Sequence, residues 1–195
     1  GNPDATAAQI EAGDGRHVGT ANQLIARITS LFAWMDAQWP NGDRAVAPTS
    51  ELNFLDDEHF ISPTTGRDNP YSLFLPPGYF ESTKSFPVLY MHDGQNLFDQ
   101  NTSFAGEWKV DETCEMLIGS GEIEPIIVVG IENNAARCTE YTPWPAIPAG
   151  NPCAGGGADV YLQAIRDVLI PEVNNRYRTR TGPAQVYLGL LVLEP

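Results

Sequence analysis

The chain has 195 residues, 42% of them hydrophobic, enough for one domain with a sizeable core or for one domain behind an N-terminal extension. Its 11 Lys and Arg stand against 25 Asp and Glu, a formal charge of −14. That balance excludes a nucleic-acid reader, which needs clustered cations for phosphates, and argues against an anionic membrane surface; the acidity reads as solubility charge. No apolar run approaches the roughly 20 residues of a membrane span, and no leader pattern is visible, so a soluble chain is expected.

The three cysteines, Cys114, Cys138 and Cys153, fit no zinc spacing. Cys138 and Cys153 flank a proline-rich loop. Bridged, they would close about 15 residues and stabilise the fold by about 3 kcal/mol, and the compartment would then be oxidising, secreted or periplasmic. Two free thiols are the other reading. Cys114 falls in a helical pattern and reads as a small buried residue.

Residues 1–45 read as an N-terminal extension with one amphipathic helix. Thr20 is its N-cap, and Leu24, Ile25, Ile28, Leu31, Phe32 and Met35 recur at helical spacing. Pro40-Asn41-Gly42 stops it. Leu52 to Leu55 and His59 to Ile61 read as two short strands with an acidic turn, Asp56-Asp57-Glu58, between them. Tyr71 to Leu75 alternates and ends at Pro76-Pro77-Gly78, a strand and a turn. Phe86 to Met91 is the next strand, Trp108 to Ser120 a helix with Val110, Cys114, Leu117 and Ile118 inward, and Ile126 to Ile131 a continuous apolar strand suited to burial on both faces. Asp159 to Val173 reads as a helix with Val160, Leu162, Ile165, Val168 and Leu169 inward and Pro171 placed to kink it. Gln185 to Leu193 is the last strand. The order predicts an α/β fold over residues 46–195: a mostly parallel sheet with an antiparallel start and helices on both faces.

Chemistry is expected where the apolar run Val88 to Met91 breaks into His92-Asp93-Gly94-Gln95, because ligands bind beyond the carboxyl ends of parallel strands. Glu140, Tyr141 and Trp144 follow the Ile126 to Ile131 strand, either lining a substrate pocket or anchoring a loop. Gly155-Gly-Gly157 lacks the spacing and Lys of a phosphate loop and reads as a helix entry. Asp56-Asp57-Glu58 has no calcium-loop spacing, and Asp111-Glu112 reads as dipole-favourable charge at a helix start. No cofactor and no metal are expected.

Phe86 to Asp99, then Ser103 to Trp108, Val110 to Thr113, Glu124 to Ile131, Glu140 to Trp144, Gly155 to Asp159 and Ile170 to Thr179 occur in an order and spacing that resemble an esterase family of α/β-hydrolases. That family includes enterochelin-esterase-like, esterase-D-like and feruloyl- and acetyl-xylan-esterase-like proteins. The resemblance implies a partial α/β-hydrolase fold with the later strands missing. It also implies a serine carboxylic-ester hydrolase for acyl groups on carbohydrates or for small aromatic-acid esters. Backbone N–H groups around Asp93, Gly94 and Gln95 would form one side of an oxyanion hole, with His92, Glu140, Tyr141 and Trp144 as substrate contacts. The family's nucleophile turn falls near Leu191, which has no nucleophile to offer. The acid and histidine have no counterpart here. Little activity is therefore expected of this chain alone, with a small-molecule ester as partner only if the site were completed. A non-catalytic binding module derived from a hydrolase is the alternative, and a metal site on His92 a third. An exposed edge at the last strand, or the N-terminal helix, would support a homodimer.

Overall fold

The computed structural model describes residues 54–104, 106–145, 155–182 and 186–189. The expected helix from Thr20 to Met35, Cys153 and Leu191 lie outside the described residues. Five strands are described: β1 (Phe54–Ile61), β2 (Asp68–Phe74), β3 (Val88–His92), β4 (Ile127–Ile131) and β5 (Val186–Gly189). They form one sheet in the order β1-β2-β4-β3-β5. β1 pairs antiparallel with β2, and β2 with β4; β3 runs parallel to both β4 and β5. The expected parallel centre with an antiparallel start is what the sheet has.

Alternation along the strands builds two cores. Successive side chains leave a strand on opposite faces. Tyr71 and Leu73 of β2, Val88 and Tyr90 of β3, and Ile127, Val129 and Ile131 of β4 fill one face. Phe74, Leu89, Met91 and Val128 fill the other. Each layer then needs a helix to cover it. Helix α1 (Val110–Gly119) sets Val110, Cys114 and Leu117 on the second face. The first is covered by α3 (Ala158–Ala164), a π-helical turn (Ile165–Leu169) and α4 (Ile170–Arg176). A short helix, α2 (Arg137–Tyr141), follows β4.

Three expectations change. The two short strands before residue 62 are one strand. The acidic turn placed over Asp56 to Glu58 is instead a register shift between Leu55 and Glu58, where one extra residue is absorbed as a bulge. In the long helical segment the buried residues are Ala158, Tyr161, Ala164, Ile165, Leu169 and Val173, while Leu162 is exposed. Tyr161, Ile165, Leu169 and Val173 recur every four residues. A regular α-helix would rotate such a row off its face, and the π turn, with its longer hydrogen-bond loop, turns it back. Pro171 is the second residue of α4, directly after that turn and inside the continuous helical run, where its missing N–H interrupts the regular hydrogen-bond ladder.

Candidate functional site

The polar break after β3 lies at the carboxyl edge of the parallel strands. Gly94–Asn96 forms one turn of 3₁₀-helix, entered through Asp93 at φ 57°. Asp tolerates that left-handed conformation better than most residues. Inside the turn, Asn96 N–H donates to the Asp93 carbonyl at 2.9 Å and Leu97 N–H to the Gly94 carbonyl at 3.1 Å. The N–H groups of Gly94 and Gln95 come first in the turn, and no carbonyl within it can reach them.

Gly94 is required by space, not by its dihedral angles. A Cβ there would stand 2.4 Å from the Gly130 carbonyl oxygen and 2.8 Å from the Ile131 carbonyl carbon. The turn is pressed backbone to backbone on β4. Gly130 reciprocates: its own Cβ would meet Leu97 Cδ1 at 2.9 Å and Gly94 Cα at 3.2 Å.

Asp93 is a clamp. Arg137 donates from Nε to Oδ1 at 2.8 Å and from Nη2 to Oδ2 at 2.6 Å. Asn133 Nδ2 donates to Oδ1 at 2.6 Å, and the Tyr141 hydroxyl reaches the same oxygen at 3.4 Å. Burial alone would raise this carboxyl's pKa. The Arg137 and Asn133 hydrogen bonds and the Arg137 charge outweigh it and hold Asp93 ionised below the usual carboxylate range. Gln95 adds a second tie, its Oε1 accepting the Asn133 backbone N–H at 3.0 Å. The loop after β4 thus grips the turn after β3 through charge-assisted hydrogen bonds.

His92 faces the other core. Its Nδ1 shares a 2.9 Å hydrogen bond with the Tyr161 hydroxyl, and its ring packs on Tyr141 and Tyr161 with centroids 4.8 and 5.5 Å away. Burial drives its pKa down to about 4, against the pull of Asp93. The imidazole is neutral at pH 7. The other described histidine, His59, pairs with Asp68 at 3.0 Å on the exposed β1–β2 hairpin. Neither is hydrogen-bonded to a serine among the described residues.

The remaining sequence candidates separate. Glu140 lies on α2, where it is nine-tenths buried, ion-paired with Arg67 and accepting from Asn134 Nδ2 at 3.2 Å. Beside it a cavity of about 170 Å³ is lined by Arg67, Thr139, Glu140, Gly157 and Tyr161. That is below the usual size of a ligand pocket, with room for waters or a short acyl group. Tyr141 belongs to the Asp93 network, whereas Trp144 stands 73% exposed just beyond α2. Cys138, also on α2, is disulfide-bonded and Cys114 is a buried free thiol; Cys153 is outside the described residues. Sequence reasoning missed Asn133, Arg137 and Tyr161. The signal for the first two was the polar run Asn133-Asn134-Ala-Ala-Arg137 directly after an apolar strand, at the edge where chemistry is expected.

β5 completes the geometry. Gly189 pairs with Met91, so the two strands reach the same edge side by side, two residues short of Asp93. β5 therefore ends beside the approach to the Asp93 to Asn96 turn.

Known proteins resemble this chain in sequence and fold. The uncharacterized protein YbbA of Bacillus subtilis (strain 168) is 29% identical over 115 residues, 58% of this chain and 42% of YbbA. An IroE-like serine hydrolase from Shewanella oneidensis superposes with a TM-score of 0.50 at 28% identity, covering 63% of this chain and 38% of the other. A ferulic acid esterase from Anaeromyces mucronatus gives 0.51 at 19% identity, covering 76% and 53%, a likeness of fold. This chain therefore spans only about half, or less, of each relative's length. Residues 62–190, more than half of the chain, match the family described as Putative esterase, and the protein belongs to that family, with the α/β-hydrolase-type fold of its solved relatives.

Proposed function

We propose that this chain supplies the oxyanion-stabilising side of a serine carboxylic-ester hydrolase. One observation carries the reading: β5 ends beside the Asp93 to Asn96 turn, with Gly189 opposite Met91. Adjacent strands lie about 4.8 Å apart. A nucleophile carried just past β5 would thus meet a carbonyl whose oxygen points at the Gly94 and Gln95 N–H groups. As the nucleophile adds to the carbonyl carbon, the C=O electron pair moves onto that oxygen, and the two N–H groups donate to it. The Asp93 clamp and the Gly94–Gly130 contact hold both donors before the reaction begins, so no reorganisation is needed when charge develops. Each such donor is worth about 3 kcal/mol in the transition state.

The serine chemistry is brought from the IroE-like relative as part of the proposal. His92 is not its base: it is buried, burial lowers its basicity, and its Nδ1 is committed to Tyr161. In this reading the attacking group and its base are not among the described residues, and the resemblance puts the family's serine at about Leu191. Trp144 offers an open aromatic face on which a sugar or a ferulate ring would stack, in keeping with acyl-carbohydrate or aromatic-acid esters as substrates.

Titration of the 195-residue chain with ferulate and with acetate, followed through assigned amide resonances, tests the reading. A carboxylate seated in the hole shifts the Gly94 and Gln95 N–H signals first. Saturation that moves only amides elsewhere overturns it. The same protein is expected to leave p-nitrophenyl acetate unhydrolysed above the buffer rate. Turnover abolished by a serine-directed phosphonate would show that the nucleophile is already present in this chain.

A further inference from the structure

Three carboxylates converge where α1 begins. Glu107, Asp111 and Glu112 each offer an oxygen, and these oxygens all lie within 4.8 Å of one another. From the sequence Asp111 and Glu112 read as dipole-favourable charges at a helix start, yet they are only 3% and 6% exposed. Asp111 Oδ1 and Glu112 Oε2 have no hydrogen-bond partner. A charged acceptor left buried and unpartnered is costly, and neighbouring like charges add to that cost.

Something positive must relieve the cluster. Lys109 contributes at the rim, with Nζ 4.0 Å from Glu107 Oε2. A proton is the second remedy. Burial, and then the hydrogen bond and charge of Asp111, push the Glu112 carboxyl up to about 8. A proton shared between Asp111 and Glu112 would relieve part of their mutual repulsion. A metal ion answers both the charge and the orphan atoms. Calcium takes hard oxygen ligands at about 2.3–2.6 Å, so oxygens on opposite sides of one ion are separated by up to about 5 Å. The span of the three carboxylates falls inside that limit. The positive end of the α1 dipole, about half a charge, opposes a cation here, but three carboxylates outweigh it.

We infer that Glu107, Asp111 and Glu112 form a binding site for a hard divalent cation, calcium in preference to magnesium, at the entrance to α1. The orphan carboxylate oxygens carry the inference, and it is independent of the ester chemistry. The site would have a structural consequence. Trp108 N–H donates to the Asn96 carbonyl at 2.7 Å and Val110 N–H to that of Leu97 at 3.0 Å. An ion held at residues 107–112 would therefore brace the segment against which the candidate oxyanion turn rests.

The test is calorimetric titration of calcium chloride into the chelator-dialysed 195-residue chain. One saturable site is expected, with a Kd of about 10⁻⁵ to 10⁻⁴ M and weaker magnesium binding, together with a higher melting temperature in the loaded protein. Glu107→Gln should weaken calcium at least about tenfold while the far-ultraviolet circular dichroism stays unchanged. Glu112→Gln should do the same, and Asp167→Asn, an exposed acid on the π turn, should leave the affinity untouched. Absence of saturable binding up to millimolar calcium overturns the inference. So does unchanged affinity in folded Glu107→Gln or Glu112→Gln, which would assign the heat to the chain's general negative charge and leave a proton as the occupant.

Discussion

Gly94→Ala probes how the candidate oxyanion turn is held. The new methyl would sit 2.4 Å from the Gly130 oxygen, 2.5 Å from the Gly130 carbonyl carbon and 2.8 Å from the Ile131 carbonyl carbon. All three are backbone atoms of the central strand β4, so no rotamer change can relieve the overlap. The turn must lift from the sheet. Overpacking costs about 1–3 kcal/mol, and a rigid neighbour places this case at the upper end. Alanine returns about 0.4–1 kcal/mol by restricting the unfolded chain. The net expectation is a loss of at least about 2 kcal/mol. Gly130→Ala provides the internal comparison: its nearest contacts are the side chains of Leu97 and Phe98 at 2.9 and 3.0 Å, which can turn away. It should cost about 1 kcal/mol. Gly66→Ala meets nothing within 4 Å and suffers only its φ of +67°, a strain of about 1 kcal/mol. Urea midpoints for the three variants give the ranking. Gly94→Ala lying within about 0.5 kcal/mol of the parent, or costing less than Gly130→Ala, would refute the reasoning. A methyl tolerated there would mean the turn is not pressed on β4, and the preorganisation argument would fall with it.

His92 gives a pH dependence. Its pKa falls from 6.5 to about 4 on folding, so the folded protein prefers the neutral ring and the unfolded chain binds more protons between those values. The associated stability is complete above pH 6.5 and drains away as pH drops toward 4, by about 3 kcal/mol across the window. His92→Asn should flatten that slope, and identical pH slopes in the two proteins would sink the assignment. Asp93→Ala strands Arg137 and Asn133. Because the Arg137 side chain is 38% exposed, part of the loss is recovered in water, and a cost of about 2–3 kcal/mol is expected in thermal or urea melts. A loss below that of Trp144→Ala, an exposed residue whose removal should be neutral, would contradict the clamp. Among the described residues β5 pairs with β3 alone, and Leu188 on it is 45% exposed. Self-association through that strand is our proposal. Leu188→Lys should shift sedimentation toward monomer, and a parent protein that sediments as a monomer at high concentration would end it.

The loop after β4 and the turn after β3 show where stability and the site meet. Asn133 and Arg137 are 40 and 44 residues from Asp93, yet they supply its hydrogen bonds. The same carboxylate that fixes the turn's left-handed entry also fixes α2, on which Glu140 and Tyr141 ride. Loosening either partner should loosen both walls of the edge.

What the amino-acid order determined by itself was local and periodic. Ile126 to Ile131 is apolar at every position except Gly130, so it had to be a strand covered on both faces, and Val110, Cys114 and Leu117 at helical spacing had to face a core. The break at His92-Asp93-Gly94-Gln95 also declared itself, because an apolar strand cannot continue through it. Only the tertiary structure decided which charges are buried. Asp111 and Glu112 look like ordinary helix-start acids until their segment is seen hydrogen-bonded to Asn96 and Leu97. The sequence shows a glycine in the turn after β3, but only the fold shows what presses on it: the Gly130 carbonyl oxygen of β4, 2.4 Å from where a Cβ would stand. Periodicity records how a residue faces its own element, whereas burial and close backbone approach depend on what the remote chain brings to that face.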